Sequence, residues 1–281
     1  MPNPFVYAIG PDHKLSWYNH TGGANGAFAW QGPHEVGRGW DFKHVFSGGD
    51  GIIYAIERNV EATAHVTGKP TPASGGNLLW FRHVGQADGS FKWEGPRRVG
   101  TGWGHFEHVF YGGNGIIYAI EPHVPALANM TGKPTPASGG NLLWFRHTGR
   151  ENGRFTWEGP KKAGSGWSGF EHAFSGGDGV IYLIEPIVEA TFHVTGRPTP
   201  ASGGNLRWYR HRGHADGSFN WEGPRKVGNG WAGFRKAFSA GDGVIYLVEP
   251  IVEATVPVTG KAKPASGGNL RWFRHLGVEK G

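Results

Sequence analysis

The sequence predicts an all-β fold, a β-propeller of five blades built from four-stranded antiparallel sheets. Three observations carry this. A cassette of aromatic and glycine residues recurs four times: FAWQGPHEVGRGWDFKHVF (residues 28–46), FKWEGPRRVGTGWGHFEHVF (91–110), FTWEGPKKAGSGWSGFEHAF (155–174) and FNWEGPRKVGNGWAGFRKAF (219–238). Self-similarity at a fixed period marks a repeat architecture, in which each unit buries its apolar face only against its neighbours. The segments between cassettes are short and alternate apolar with polar residues, as half-buried strands do. The 50 Gly and 19 Pro punctuate these segments at regular intervals, the pattern of many short strands and tight turns.

Taken in order, the first element is strand B, which carries Tyr7, Tyr54, Tyr118, Tyr182 and Tyr246 in FVYAI, IIYAI, IIYAI, VIYLI and VIYLV. Each later copy follows an Asp-Gly or Asn-Gly pair, the signature of a two-residue hairpin. The strand before that turn, FKHVF or its equivalent, is therefore strand A. Strand C follows B, with Trp17, Trp80, Trp144, Trp208 and Trp272 in register. Strand D is the FxWEGP segment, with Trp30, Trp93, Trp157 and Trp221. Four short strands A to D joined by turns make one propeller blade.

Tyr54, Tyr118, Tyr182 and Tyr246 are 64 residues apart, whereas Tyr7 and Tyr54 are 47 apart. The basic blade is thus about 47 residues, and the later copies carry an insertion between B and C. Its Pro, Gly and Ser content predicts an ordered surface loop with a short added strand at VEAT. The repeats run approximately over residues 5–46, 47–110, 111–174, 175–238 and 239–281, expected as one domain. This gives five B, five C, four D and four A strands, so the first blade lacks A and the last lacks D. The alternative division is four complete blades plus an extra hairpin. A homo-oligomer, in which a second chain completes the two short blades, is one way to close the seam.

Composition excludes several classes. With no cysteine, neither a disulfide framework nor a thiolate metal site is available. The start of the sequence lacks a basic segment followed by an apolar stretch, and no run approaches the ~18 residues needed to span a bilayer. A soluble chain without membrane insertion or a visible signal peptide is expected, cytoplasmic or non-classically exported. The formal charge of +6 comes from Lys and Arg scattered singly through the repeats, which does not point to nucleic acid. Arg82, Arg146, Arg210 and Arg274 beside aromatics are the residues that a nucleic-acid reading would use.

The repeated GxGWxxFxxxF, the following Asp/Asn-Gly turn, IxYxI and the ~47-residue basic blade together resemble the tachylectin family of five-bladed propeller lectins. The resemblance covers residues 5–275. It implies binding of N-acetylated amino sugars, of the N-acetylglucosamine or N-acetylgalactosamine type, at pockets between adjacent blades. The last D and A strands are absent from this sequence and the B-to-C insertions are additional to the family pattern.

Candidate site residues fall in three groups. Trp40, Trp103, Trp167 and Trp231 end the Gly-x-Gly-Trp segments that join D of one blade to A of the next. There an indole can face a sugar's C–H side while glycines let backbone amides approach; alternatively these rings wedge the blades together. The B-to-C insertion emerges at the same end, and Thr67, Lys69, Thr71, Ser74 and Asn77, with the equivalents Asn141, Asn205 and Asn269, offer donors to hydroxyls or are solvated loop residues. At the opposite end the C-to-D loops carry Asn25, Asp88, Asn152 and Asp216. The resemblance implies an Asp/Asn-rich binding loop there, while turn formation alone also accounts for these residues.

Catalysis has little sequence support. Glu57, Glu121, Glu185 and Glu249, and Glu94, Glu158 and Glu222, recur with the repeat instead of pairing at one place, as a hydrolase requires. His44, His108 and His172 lie on strand A and would converge on a channel, but Lys236 breaks the set, so no metal and no cofactor is expected. The sequence thus describes a non-enzymatic, multivalent lectin for glycans with terminal N-acetylated amino sugars. The rival is a protein-interaction scaffold that uses the insertion loops.

Overall fold

The computed structural model describes residues 4–60, 75–124, 138–188, 202–252 and 266–281. The chain divides into two compact units, Met1–Ser168 and Gly169–Gly281.

In the first unit, β1 (Phe5–Ile9), β2 (Leu15–His20) and β3 (Trp30–Gly37) form a three-stranded antiparallel sheet. Then β4 (His44–Gly49), β5 (Ile52–Ile56), β6 (Leu78–His83) and β7 (Trp93–Gly100) form a four-stranded sheet in chain order. The third sheet starts with β8 (His108–Gly113) and β9 (Ile116–Ile120). A small ribbon of β10 (His123–Val124) and β11 (Ser138–Gly139) intervenes, and β12 (Asn141–His147) and β13 (Trp157–Ser165) complete the order β8-β9-β12-β13.

The second unit repeats this plan. β14 (His172–Gly177), β15 (Val180–Ile184), β18 (Leu206–His211) and β19 (Trp221–Gly228) form a four-stranded sheet around the ribbon β16 (Ile187–Val188) and β17 (Ser202–Gly203). The last sheet has three strands, β20 (Lys236–Gly241), β21 (Val244–Val248) and β24 (Leu270–Arg274), with the ribbon β22 (Ile251–Val252) and β23 (Ser266–Gly267).

These are five propeller blades of three, four, four, four and three strands, with the first lacking A and the last lacking D among the described residues. Because each D strand pairs with the C strand before it, the alternative division into four complete blades plus an extra hairpin does not describe the sheets. The added strand begins a residue earlier than expected: Ile187–Val188 pairs with Ser202–Gly203, while the rest of the VEAT segment lies outside the described residues. No helix among the described residues is long and apolar enough to cross a membrane.

The A-to-B turns have the conformation that their residues predict. Asp50, Asn114, Asp178 and Asp242 have φ near 50° (50°, 51°, 46° and 49°), each followed by a glycine at positive φ. Two consecutive left-handed residues match the twist of the flanking strands. Strand B is central in the complete blades, so IIYAI is buried on both faces. At its middle, Tyr54 pairs with Trp80, Tyr118 with Trp144 and Tyr182 with Trp208, and all six side chains are buried. Among the described residues no A strand covers the edge of β1, and Phe5 and Ile9 are exposed.

Blades in one unit pack face to face. One core joins Tyr54, Leu78 and Trp80 of the second blade to Trp103, Phe106, Ile117 and Ala119 at the third. A second joins Leu15, Trp17 and Val36 to Trp40 and Ile53, and a third joins Tyr182, Leu206 and Trp208 to Ile245 and Leu247. The C-strand indole also reaches into the next blade: Trp17 Nε1 donates to the Gln86 carbonyl (2.9 Å), Trp80 Nε1 to Arg150 (2.9 Å) and Trp208 Nε1 to Val278 (3.0 Å).

Candidate functional site

The D-to-A connections combine an open backbone with a buried ring. Their middle glycines Gly39, Gly102, Gly166 and Gly230 have φ of 71°, 74°, 73° and 72°, and a side chain there would meet nothing within 4 Å. Left-handed backbone, not lack of space, is what requires glycine, and the peptide edge is left open to solvent. The next residue is fastened. Trp40 N–H donates to the His13 carbonyl (2.9 Å), Trp103 to Gly76 (2.7 Å), Trp167 to Gly140 (2.8 Å) and Trp231 to Gly204 (2.8 Å). Each connection is thereby tied to the B-to-C loop of its own blade, at the same blade end as expected.

The indoles themselves are wedges. Trp40, Trp103 and Trp167 are only 6%, 5% and 6% exposed. Trp40 packs on Phe81 (4.9 Å between ring centroids), Trp93 (5.5 Å) and Phe42 (5.8 Å). Trp103 packs on Phe145 (4.6 Å), Trp157 (5.5 Å) and Phe106 (5.6 Å). Their faces are covered by aromatic neighbours. A Cβ at Gly37, Gly100, Gly164 or Gly228 would come within 2.2–2.4 Å of the indole nitrogen of Trp40, Trp103, Trp167 or Trp231, so the glycine that ends strand D is a seat for the ring. Trp231 is half-buried, with Phe273 at 4.9 Å. The FxWEGP tryptophans pack as well: Trp93 Nε1 donates to the Val36 carbonyl (2.5 Å) and Trp157 Nε1 to Val99 (2.6 Å).

At the neck of each insertion, the expected sugar-facing amide has a protein partner. Asn77 Nδ2 donates to Glu57 Oε2 (2.6 Å), Asn141 to Glu121 (2.6 Å), Asn205 to Glu185 (2.5 Å) and Asn269 to Glu249 (2.7 Å). Arg207 and Arg271 join the last two carboxylates, each at 2.6 Å. The recurring glutamates, unpaired in the sequence reading, are thus the partners of the recurring asparagines. Both flank the same insertion, a signal that was present in the spacing. Thr67, Lys69, Thr71 and Ser74 lie outside the described residues.

One polar position beside the connection varies among copies: Lys43, Glu107, Glu171 and Arg235 are equivalent. Lys43 Nζ donates to the Gly104 (2.6 Å) and Phe106 (3.0 Å) carbonyls of the following connection, and burial holds its pKa below the usual lysine value. Glu171 Oε1 instead accepts from Gly233 N–H (2.8 Å). The four blade ends share a backbone frame and differ in charge. Sequence reasoning missed this because it searched for sameness between copies.

In the C-to-D loops, Asn25, Asp88 and Asp216 accept through Oδ1 from the amides of Ala27 (3.0 Å), Ser90 (2.9 Å) and Ser218 (2.9 Å), the bond that makes an Asx turn. Asn152 sits in a short 3₁₀ turn, and its carbonyl accepts from Arg97. All four side chains are at the surface, at the opposite blade end from the connections. The histidine that opens each loop is structural: His20, His83, His147 and His211 are buried and stack on Trp30 (4.0 Å), Trp93 (4.4 Å), Trp157 (4.3 Å) and Trp221 (4.3 Å). Strand A histidines find carbonyls, His44 on Phe106 (3.2 Å) and His172 on Phe234 (2.7 Å). No group of three or more potential metal ligands occurs among the described residues.

Repeated four-position antiparallel sheets with Asp-Gly hairpins and interlocking C-to-D loops define the class, a β-propeller repeat protein. No protein-family model and no curated protein matches the chain. A solved structure described as "The de novo evolutionary emergence of a symmetrical protein is shaped by folding constraints" aligns with 89% of this chain and 84% of its own, at 16% identity and a TM-score of 0.45.

Proposed function

We propose that this chain is a multivalent carbohydrate-binding protein without enzymatic activity. Its ligands are glycans ending in N-acetylated amino sugars, held at the blade ends where each Gly-x-Gly-Trp connection is tied to the insertion neck. The supporting observation is the fourfold recurrence of an open, left-handed glycine beside a fastened tryptophan amide. The resemblance to propeller lectins adds the ligand class. Because the indole faces are covered, the sugar is held by backbone groups and neck side chains, with the tryptophan setting the backbone in place. One shallow monosaccharide site yields only ~4 to 5 kcal/mol, and several sites in one protein raise avidity by ~10² to 10⁴ on a clustered glycan.

Isothermal titration with N-acetylglucosamine up to tens of millimolar tests this, alongside a glycan array with the intact chain. Saturable heat and array signals on terminal N-acetylated amino sugars are expected. Silence in both sinks the lectin reading. It would leave the scaffold reading, which the covered indoles favour and in which the insertions, three of them opening with two-stranded ribbons, contact a protein partner.

A further inference from the structure

The D-position edge of the last blade holds a ready-made seat. In the other four blades a D strand covers strand C: β3 on β2, β7 on β6, β13 on β12 and β19 on β18. Among the described residues, β24 has β21 on one edge and no strand on the other. Leu270 and Phe273 are each 39% exposed, whereas the equivalent Leu206 is 1% exposed. Beside this edge lies a cavity of about 370 Å³ whose lining includes Val227, Trp231, Ile245, Phe273 and His275. In the junctions of the first unit the corresponding aromatic cluster is completed by a D-strand indole, Trp93 against Trp40 and Trp157 against Trp103, each at 5.5 Å.

His275 lies beside the same edge. Its Nδ1 keeps the bond to Tyr182 Oη (2.8 Å), as its counterparts His83 and His147 keep theirs to Tyr7 and Tyr54. Those two and His20 and His211 each stack on a D-strand indole at 4.0–4.4 Å. Among the described residues His275 stacks on none.

We propose that this edge is a docking site for an extended segment of the x-Phe-x-Trp-Glu-Gly-Pro type, supplied from outside these 281 residues, which adds as a D strand to β24 and places its indole in the cavity against His275 and Trp231. Strand addition draws affinity from main-chain hydrogen bonds and specificity from side-chain pockets, and three internal copies of this sequence, with a fourth that has Gln31 in place of the glutamate, define both. A second copy of the chain is a poor donor, because its own four D strands are already paired.

The test uses the full chain and a synthetic peptide with the sequence of residues 218–228. Fluorescence anisotropy of the labelled peptide should show saturable one-to-one binding, with slowed amide exchange at Leu270, Arg271, Trp272, Phe273 and Arg274. A peptide carrying Trp221→Ala should bind at least about tenfold more weakly, and chain variant Phe273→Glu should lose binding of the parent peptide. Absence of binding at millimolar peptide, equal binding of the alanine peptide, or a chain that self-associates with β24 already protected would each overturn the proposal, the last by making a second copy the occupant.

Discussion

Tyr54 Oη lies 2.7 Å from Nδ1 of His147, 93 residues further along the chain, and both side chains are buried. The histidine's Nε2 is 2.7 Å from the Arg154 carbonyl, which can only accept. Nε2 therefore carries the proton, and Nδ1 accepts from the tyrosine hydroxyl. Tyr7 and His83 repeat the arrangement at 2.8 Å, with Nε2 on the Ser90 carbonyl. Each pair pins strand B of one blade to the end of strand C in the next.

Tyr54→Phe keeps the ring and removes the donor, leaving a buried imidazole nitrogen unsatisfied. A loss of about 1–3 kcal/mol is expected, read from the denaturant midpoint. His147→Phe in the same background should recover part of it, since removing both partners is cheaper than orphaning one.

Acid should weaken the same joints. Burial lowers the pKa of His83, His147, His211 and His275, so the unfolded chain, with histidines near 6.5, takes up protons at higher pH than the folded one. The stabilisation is therefore complete above about pH 6.5 and declines as pH falls below it. Burial pushes the Tyr7 hydroxyl up to about 12, so it remains a donor throughout this range. Thermal melts between pH 8 and 5 check this: a melting temperature that stays level down to pH 5 would contradict it.

The wedge assignment separates two tryptophans of the same sequence class. Trp103→Ala should cost about 3–5 kcal/mol, as expected for an emptied aromatic core. Trp231→Ala, half-buried beside an existing cavity, should cost clearly less. Urea unfolding of both variants gives the comparison, and equal losses would argue against the assignment.

Two glycines two residues apart should respond for different reasons. Gly100→Ala drives a methyl into the Trp103 indole, 2.4 Å from Nε1, and overpacking of about 1–3 kcal/mol follows. Gly102→Ala meets nothing but must hold φ near 74°, costing roughly 1–2 kcal/mol. On the proposed function, Gly102→Ala also weakens N-acetylglucosamine binding at its blade end, measurable by titration, while Gly100→Ala acts through stability.

Much of this architecture is legible in the sequence because a repeat presents each local signal several times. The Asp-Gly pairs, the Tyr and Trp registers and the counts of A, B, C and D strands all describe the sheets found. What escaped is long-range pairing. Nothing local in WFRH indicates that His147 meets Tyr54 in another blade, and the separation of 93 residues matches no repeat length. For Trp40, Trp103 and Trp167 the sequence offered both a ligand face and a wedge, because an aromatic next to glycines reads the same whether it faces a ligand or fills a junction, and burial decides for the wedge. The Asn77–Glu57 neck pair was accessible in principle, as both recur at the ends of one insertion.

The indole bonds from Trp17, Trp80 and Trp208 into the following blade bear on how such a chain can be lengthened or cut. A lone copy excised from it has nowhere to satisfy its own largest side chain, and any excised run leaves the indole of its last copy without an acceptor. Growth of the array by unequal crossing-over is then tolerated in the interior, where every newcomer finds a successor, and is penalised wherever the successor is lost.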